Sequence, residues 1–133
     1  MQTFIVHGKN RSGELAKLTG ALASKDVNVL ITALGVNGQG VATFVANDEM
    51  SAQTALKDAG FEFKTFPALT IRLNDVPGMA AEVSRKLGDQ GVNIECFLPI
   101  HVTEDKVTIA LGVDNLEASK KALDEYLVEY SYS

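Results

Sequence analysis

The chain has 133 residues, 46% of them hydrophobic, 22% charged and 7% aromatic, with one cysteine, no tryptophan and a net charge of −5. That length matches one domain of roughly 100–200 residues, and the acidic balance argues against a polyanion as main partner, so no nucleic acid is expected. A lone Cys96 rules out an internal disulfide or a multi-cysteine zinc site, and no run approaches the roughly 20 apolar residues of a membrane span, so the expectation is a soluble cytoplasmic protein with no metal and no cofactor.

Residues 3–7 form a short β-branched and aromatic run that predicts a strand, and the polar loop 8–13 ends it. Leu15, Leu18 and Leu22 recur at i, i+3, i+7, the apolar stripe of an amphipathic helix. Residues 27–34 are too apolar for a strand with one wet face, so both sides are expected to be covered. Asn37 and Gly38 supply the positive φ angles of a tight hairpin leading into a strand over 41–46. Residues 51–59 predict a second helix with Ser51 as N-cap and Gly60 as its end, followed by a strand over 61–66.

The same plan then recurs. Sliding the sequence on itself by 65 residues pairs Gly13 with Gly78, Ala16 with Ala81, Leu22 with Leu87, Val27 with Val92, Asn28 with Asn93 and Thr43 with Thr108. One offset accounting for so many special and apolar positions points to duplication, with one unit over 1–66 and a second over 67–133. The second copy predicts strands at 69–73, 92–99, 106–112 and 126–132, and helices around Val83 and over 116–124, with about two extra residues taken up in a loop. Only Pro67 and Ala68 separate the copies, too little for a flexible linker. Copy one holds 6 basic and 6 acidic residues and copy two 6 and 11, so the acidity belongs to the second.

The predicted order β-α-β-β-α-β is that of a ferredoxin-like α+β sandwich, an antiparallel sheet with both helices on one face, here in two tandem copies. Units of this size are small for an independent core and leave one sheet face to cover, so a homo-oligomer, in the simplest case a dimer, is expected.

Catalytic signals are weak. His7 and His101 have no serine or cysteine nucleophile near them in sequence, Cys96 sits inside a predicted strand as a small buried thiol, and the glycines at 35, 38 and 40 join two strands and open no helix, so they read as a hairpin and not a phosphate loop. The repeated positions are more informative. Asn10, Arg11, Ser12 and Gly13 lie at the bend before the first helix, and Asp75, Val76, Pro77 and Gly78 lie at the equivalent bend, with Pro77 suited to a first helical turn. Backbone N–H groups at such a bend suit a carboxylate, and the oxygen of Asn10 or Asp75 suits an ammonium group, a pairing that fits a zwitterion. Asn28 and Asn93 each open an otherwise apolar strand, where an amide is disfavoured without a partner. Taken singly, each of these residues is explained equally well as a helix cap or a turn residue.

In this order and spacing, Asp75, Val76, Pro77 and Gly78, an amphipathic helix, and then Gly91, Val92, Asn93 and Ile94 resemble the ACT domain, a ferredoxin-like regulatory module that binds amino acids. Copy one, with Asn10 to Gly13 followed by Val27, Asn28 and Val29, is similar to the serine-binding ACT domain of phosphoglycerate dehydrogenase. The resemblance covers nearly the whole chain and implies a small amino-acid ligand. It implies that the ligand sits at the interface of two ACT units, that Asn10 and Asp75 hold its polar groups, that backbone around Ser12, Gly13, Pro77, Gly78 and Met79 holds its carboxylate, and that Asn28 and Asn93 contact it across the interface. Copy one departs from the pattern at Ser12, where many members have proline, and at Asp26, where copy two has Gly91.

The leading expectation is a non-catalytic amino-acid sensor. The alternative is an oligomerisation or regulatory subunit that docks on a separate metabolic enzyme without binding a ligand. A third reading, an acylphosphatase-type enzyme, rests only on Arg11 beside Asn10.

Overall fold

A computed structural model describes residues 1–132. The chain divides into two compact units, an amino-terminal one over Phe4–Thr65 and a carboxy-terminal one over Phe66–Tyr130 together with Met1–Thr3. The elements in order are β1 (Gln2–Lys9), α1 (Glu14–Ser24), β2 (Val29–Val36), β3 (Gln39–Ala46), α2 (Glu49–Asp58), β4 (Glu62–Asn74), α3 (Met79–Asp89), β5 (Ile94–Val102), β6 (Lys106–Val113) and α4 (Leu116–Ala122). This is the βαββαβ plan of the ferredoxin-like α+β fold, written twice.

In the amino-terminal unit β3 lies between β2 and β1 and pairs antiparallel with both. Leu18 and Leu22 of α1 and Ala52, Ala55 and Leu56 of α2 share one core with Phe4, Val6, Ala42, Phe44 and Ala46, so both helices cover the same sheet face. Phe4 and Phe44 face each other across β1 and β3 and stack at 4.8 Å between ring centres. In the carboxy-terminal unit β6 lies between β4 and β5. Its core joins Leu69, Ile71, Ile109, Leu111 and Val113 of the strands to Val83, Leu87 and Leu123 of the helical layer. Cys96 is buried on β5, as expected.

The turn chemistry follows the sequence closely. Asn37 and Gly38 adopt φ 52° and 76° between the paired residues Val36 and Gln39, the hairpin geometry in which both central residues are left-handed. Gly13 and Gly78 occupy the N-caps of α1 and α3 with φ 87° and 93°, where a side chain would strain the backbone. Asp26 and Gly91 fill the same left-handed position after those helices, at φ 58° and 71°, so the departure at Asp26 is a conformation that aspartate tolerates.

Several expected elements are placed differently. Strand β2 is not covered on both sides: it is the outermost strand of its unit, and Leu34 and Val36 are 63% and 51% exposed. The strands expected over 61–66 and 69–73 are one strand, β4, so Pro67 and Ala68 are strand residues; proline offers no N–H, and Ala68 donates its own to the Met1 carbonyl at 3.0 Å. Helix α2 is capped by Asp48, not Ser51, because the Asp48 carboxylate reaches forward to the Ser51 N–H at 3.0 Å and its hydroxyl at 2.7 Å. Pro77 precedes the Gly78 N-cap and so lies outside the first helical turn.

Residues 126–132 are not a strand. A 3-10 turn over Asp124–Tyr126 leads to a single bridge between Leu127 and Ile71, because the Tyr126 hydroxyl donates to Glu82 on α3 at 2.6 Å and draws that side chain onto the helix. Lys86 holds the same segment through Glu125 at 2.7 Å.

The two extra residues of the second copy are not loop drift. Residues keep the offset of 65 as far as Ile94, but Val29 pairs with Ala46 and Ile94 with Val113, an offset of 67 on the partner strand. The surplus sits inside β5 as two register shifts, between Ile94 and Cys96 and between Pro99 and His101. Thr43 therefore corresponds in the sheet to Ala110, and its match to Thr108 is coincidental.

Two outcomes test this fold. Phe44→Ala removes a fully buried, stacked ring and is expected to cost about 3–5 kcal/mol in a urea titration. Backbone and side-chain hydrogen bonds from Ser51 hold the Asp48 carboxyl below its ordinary value of 3.8. A lowered folded-state pKa gives stability that is present above the ordinary value and is lost as pH falls through the folded one. The melting temperature of Asp48→Ala should therefore lie below that of the wild type at pH 7, with the gap narrowing below pH 3.8; a constant gap across that range contradicts the cap.

Candidate functional site

The loop after β1 is fastened to the β2–β3 hairpin by the Asn10 N–H, which donates to the Gly38 carbonyl at 2.9 Å. Between this loop, the start of α1 and the ends of β2 and β3 lies a cleft of about 230 Å³ within the amino-terminal unit. Its walls are apolar: Val6, Leu15, Leu18, Leu34, Val41 and Ala42, with Ala33, Gly8, Gly35 and Gly40. Its polar side chains all come from one short stretch, Lys9, Asn10, Arg11 and Glu14. Arg11 donates through Nε to the Glu14 carboxylate at 2.8 Å, across one turn at the helix start. The Asn10 amide lies over Gly35, where any Cβ would collide with it.

Of the residues singled out in copy one, Asn10 lines this cleft; Ser12 and Gly13 form the exposed turn beside it and do not line it. No side chain caps α1 or α3, so neither Asn10 nor Asp75 is a helix cap. Asn28 stands elsewhere: its N–H donates to the Asn47 side chain at 2.9 Å, its carbonyl accepts from the Asn47 N–H, and its own amide oxygen accepts from Val29. Asn93 repeats the two backbone bonds with Asp114, its N–H donating to the Asp114 carboxylate at 2.9 Å, and its side-chain amide donates to Glu95 at 2.8 Å. These clasps join the residue just before β2 to the residue just after β3, and the residue just before β5 to the residue just after β6. Asn47 and Asp114 give no repeat signal, because their spacing from the asparagines differs by two between copies.

Asp75, Pro77, Gly78 and Met79 form the corresponding bend of the carboxy-terminal unit, where the Asp75 N–H donates to the Asp105 carbonyl at 2.9 Å. The scaffold is retained and the chemistry is not. The positions of Arg11 and Glu14 are Val76 and Met79, and by sheet register that of Gly35 is Val102. Met79 packs against the core of its unit. The signals for the cleft that sequence reading passed over were Glu14, three residues after Arg11, and the glycine at 35.

His7 and His101 are exposed strand residues, each on a different unit, and among the described residues no group of three or more histidine, cysteine, aspartate or glutamate side chains is placed to hold a metal ion. No helix among them is long and apolar enough to cross a membrane.

Two copies of a two-layered plan, a sheet covered by paired helices, each with a glycine-capped bend carrying polar residues, define a tandem ferredoxin-like protein. Residues 1–131 match the family described as the ACT domain pair, and the chain belongs to it. Among solved structures, protein BT0572 from Bacteroides thetaiotaomicron is similar with a TM-score of 0.75 and 24% identity, over 93% of this chain and 86% of that one. The regulatory subunit of aspartate kinase from Thermus thermophilus, in its ligand-free form, gives 0.65 and 20% over 93% and 90%. That from Thermus flavus gives 0.64 and 21% over the same shares. At these identities the likeness is one of fold. Comparison with curated protein sequences gives no match.

The clasp predicts a stability effect separate from ligand binding. Asn47→Ala is expected to lose about 0.5–1.5 kcal/mol in a urea titration, since it removes the acceptor of the Asn28 N–H. Asn28→Ala should lose less, because the oxygen it removes serves only the next residue.

Proposed function

We propose that the protein is a non-catalytic regulatory chain that binds a small amino acid in the amino-terminal cleft. The observation that carries this reading is the Arg11–Glu14 pair, 2.8 Å apart, beside the Asn10 amide at one end of an otherwise apolar cleft. A guanidinium suits the ligand's carboxylate, and a carboxylate with an amide oxygen suits its ammonium group. The volume is below the roughly 300–1,000 Å³ of sites for drug-sized ligands and fits a small metabolite. Ser12 and Gly13 serve as the turn that presents Asn10, and residues 1–66 and 67–133 are the two ACT repeats. An acyl phosphate is a poorer fit, since Glu14 places a negative charge where its phosphate would sit.

Two of the similar structures are regulatory subunits of aspartate kinase. By analogy, this chain passes ligand occupancy to a separate metabolic enzyme in the cytoplasm. The exposed apolar residues Leu34 and Val36 of β2 support association with a second copy as a homodimer. Docking without a ligand is the second reading, favoured by the concentration of acidic residues in the second copy.

Thermal shift against the twenty amino acids separates the two. At 100 times its dissociation constant a bound amino acid adds about 2.7 kcal/mol of stability. Arg11→Ala and Asn10→Ala should remove that gain while leaving the melting temperature without ligand close to wild type. If no amino acid moves the transition, the ligand-free docking reading takes its place.

A further inference from the structure

We infer that the cleft receives an aliphatic amino acid, one per chain, and that Gly35 confines binding to the amino-terminal unit; this rests on reading the cleft as an amino-acid site. Every polar side chain of the lining belongs to the stretch Lys9 to Glu14. Apart from Lys9 at the end of β1, strands β1, β2 and β3 and the second turn of α1 contribute only apolar residues and glycine, among them Val6, Leu18, Leu34 and Ala42. A zwitterion held by Arg11, Glu14 and Asn10 at the polar end therefore directs its side chain toward the apolar walls, away from the stretch Lys9 to Glu14. A hydroxyl, carboxylate or ammonium there loses water and gains nothing, whereas each methylene removed from water is favourable. Leu15 and Leu34, 49% and 63% exposed, gain cover from such a side chain.

The confinement follows from two differences, the first a single missing atom. The Asn10 amide occupies the space that a Cβ on residue 35 would need. In the carboxy-terminal unit that register position is Val102, opposite Val107 as Gly35 is opposite Gly40, so Asp75 cannot take the pose of Asn10. Val76 and Met79 in place of Arg11 and Glu14 remove the ion pair as well.

Isothermal titration of the full chain with L-valine, L-leucine, L-isoleucine, L-serine, L-aspartate and L-lysine tests both parts. The expected result is an aliphatic ligand at one per chain, bound at least about tenfold more tightly than serine. Gly35→Val should weaken it more than tenfold. Since that variant can also disturb the hairpin, the exposed Leu15→Lys serves as a second one, expected to weaken valine binding with the melting temperature unchanged. Val102→Gly should leave affinity and stoichiometry as in wild type. Arg11-dependent binding of serine, aspartate or lysine in preference to the aliphatic ligands overturns the aliphatic assignment and leaves the amino-acid reading standing. Two ligands per chain overturn the confinement. Binding of none of these, nor of any other amino acid, overturns both the inference and the reading beneath it.

Discussion

The hydrogen bond from the Asn10 N–H to the Gly38 carbonyl holds the site together. It ties the loop that leaves β1 to the tip of the β2–β3 hairpin, and so sets the separation between the start of α1 and the outer strand. The left-handed turn at Asn37 and Gly38 aims that carbonyl, and the left-handed Gly13 turns the chain from the loop into the helix. With these three points fixed, Asn10 has only the surface of Gly35 on which to lie, and Arg11 and Glu14 come together across one turn of helix. The carboxy-terminal unit keeps the same bond, from Asp75 to Asp105, and the same glycine at its helix cap. The bond is thus a requirement of the fold, upon which the amino-terminal unit has built a cleft.

Duplication makes that distinction visible. Positions that set backbone conformation agree between the copies: Gly13 and Gly78, Asp26 and Gly91, and the caps Asp48 and Asn115, whose oxygens accept from Ser51 and Ala118. Positions that set the chemistry of the loop diverge, Arg11 to Val76, Glu14 to Met79 and Gly35 to Val102. Two extra residues in β5 absorb the difference in length without moving the hairpin, since each bulge leaves one residue unpaired and the ladder then resumes. The Asn28–Asn47 and Asn93–Asp114 clasps belong to the first group. They pair the backbone N–H just before a strand with a side chain just past the far end of its hairpin, which explains an Asn or Asp at positions 47 and 114 in structural terms.

Much of the fold was legible because it is written in local periodicity and in glycine. The leucines of α1, the Asn-Gly hairpin and the doubled order of elements all act within a few residues, where the physics of the backbone decides. What was misplaced depends on distant contacts. The reach of β4 through Pro67 is set by the Met1 carbonyl that accepts from Ala68, and the loss of a final strand by Tyr126 reaching Glu82, 44 residues away. The exposure of β2 depends on its place at the outside of its unit, which apolar content does not reveal.

The site was legible only in part, for a related reason. Asn10 stood out because it recurs in kind at Asp75, but recurrence selects what both copies share, and the cleft is made by what they do not. Arg11 next to Val76, and Gly35 next to Val102, are differences, so a search for preserved positions passes over them. Gly35 is the harder case. In sequence it belongs to a glycine-rich hairpin and reads as a turn residue, yet it is a paired strand residue opposite Gly40, with no positive φ. Its contribution is the absence of a side chain beneath an amide 25 positions earlier, and such an absence acquires meaning only once the loop that fills it has been placed.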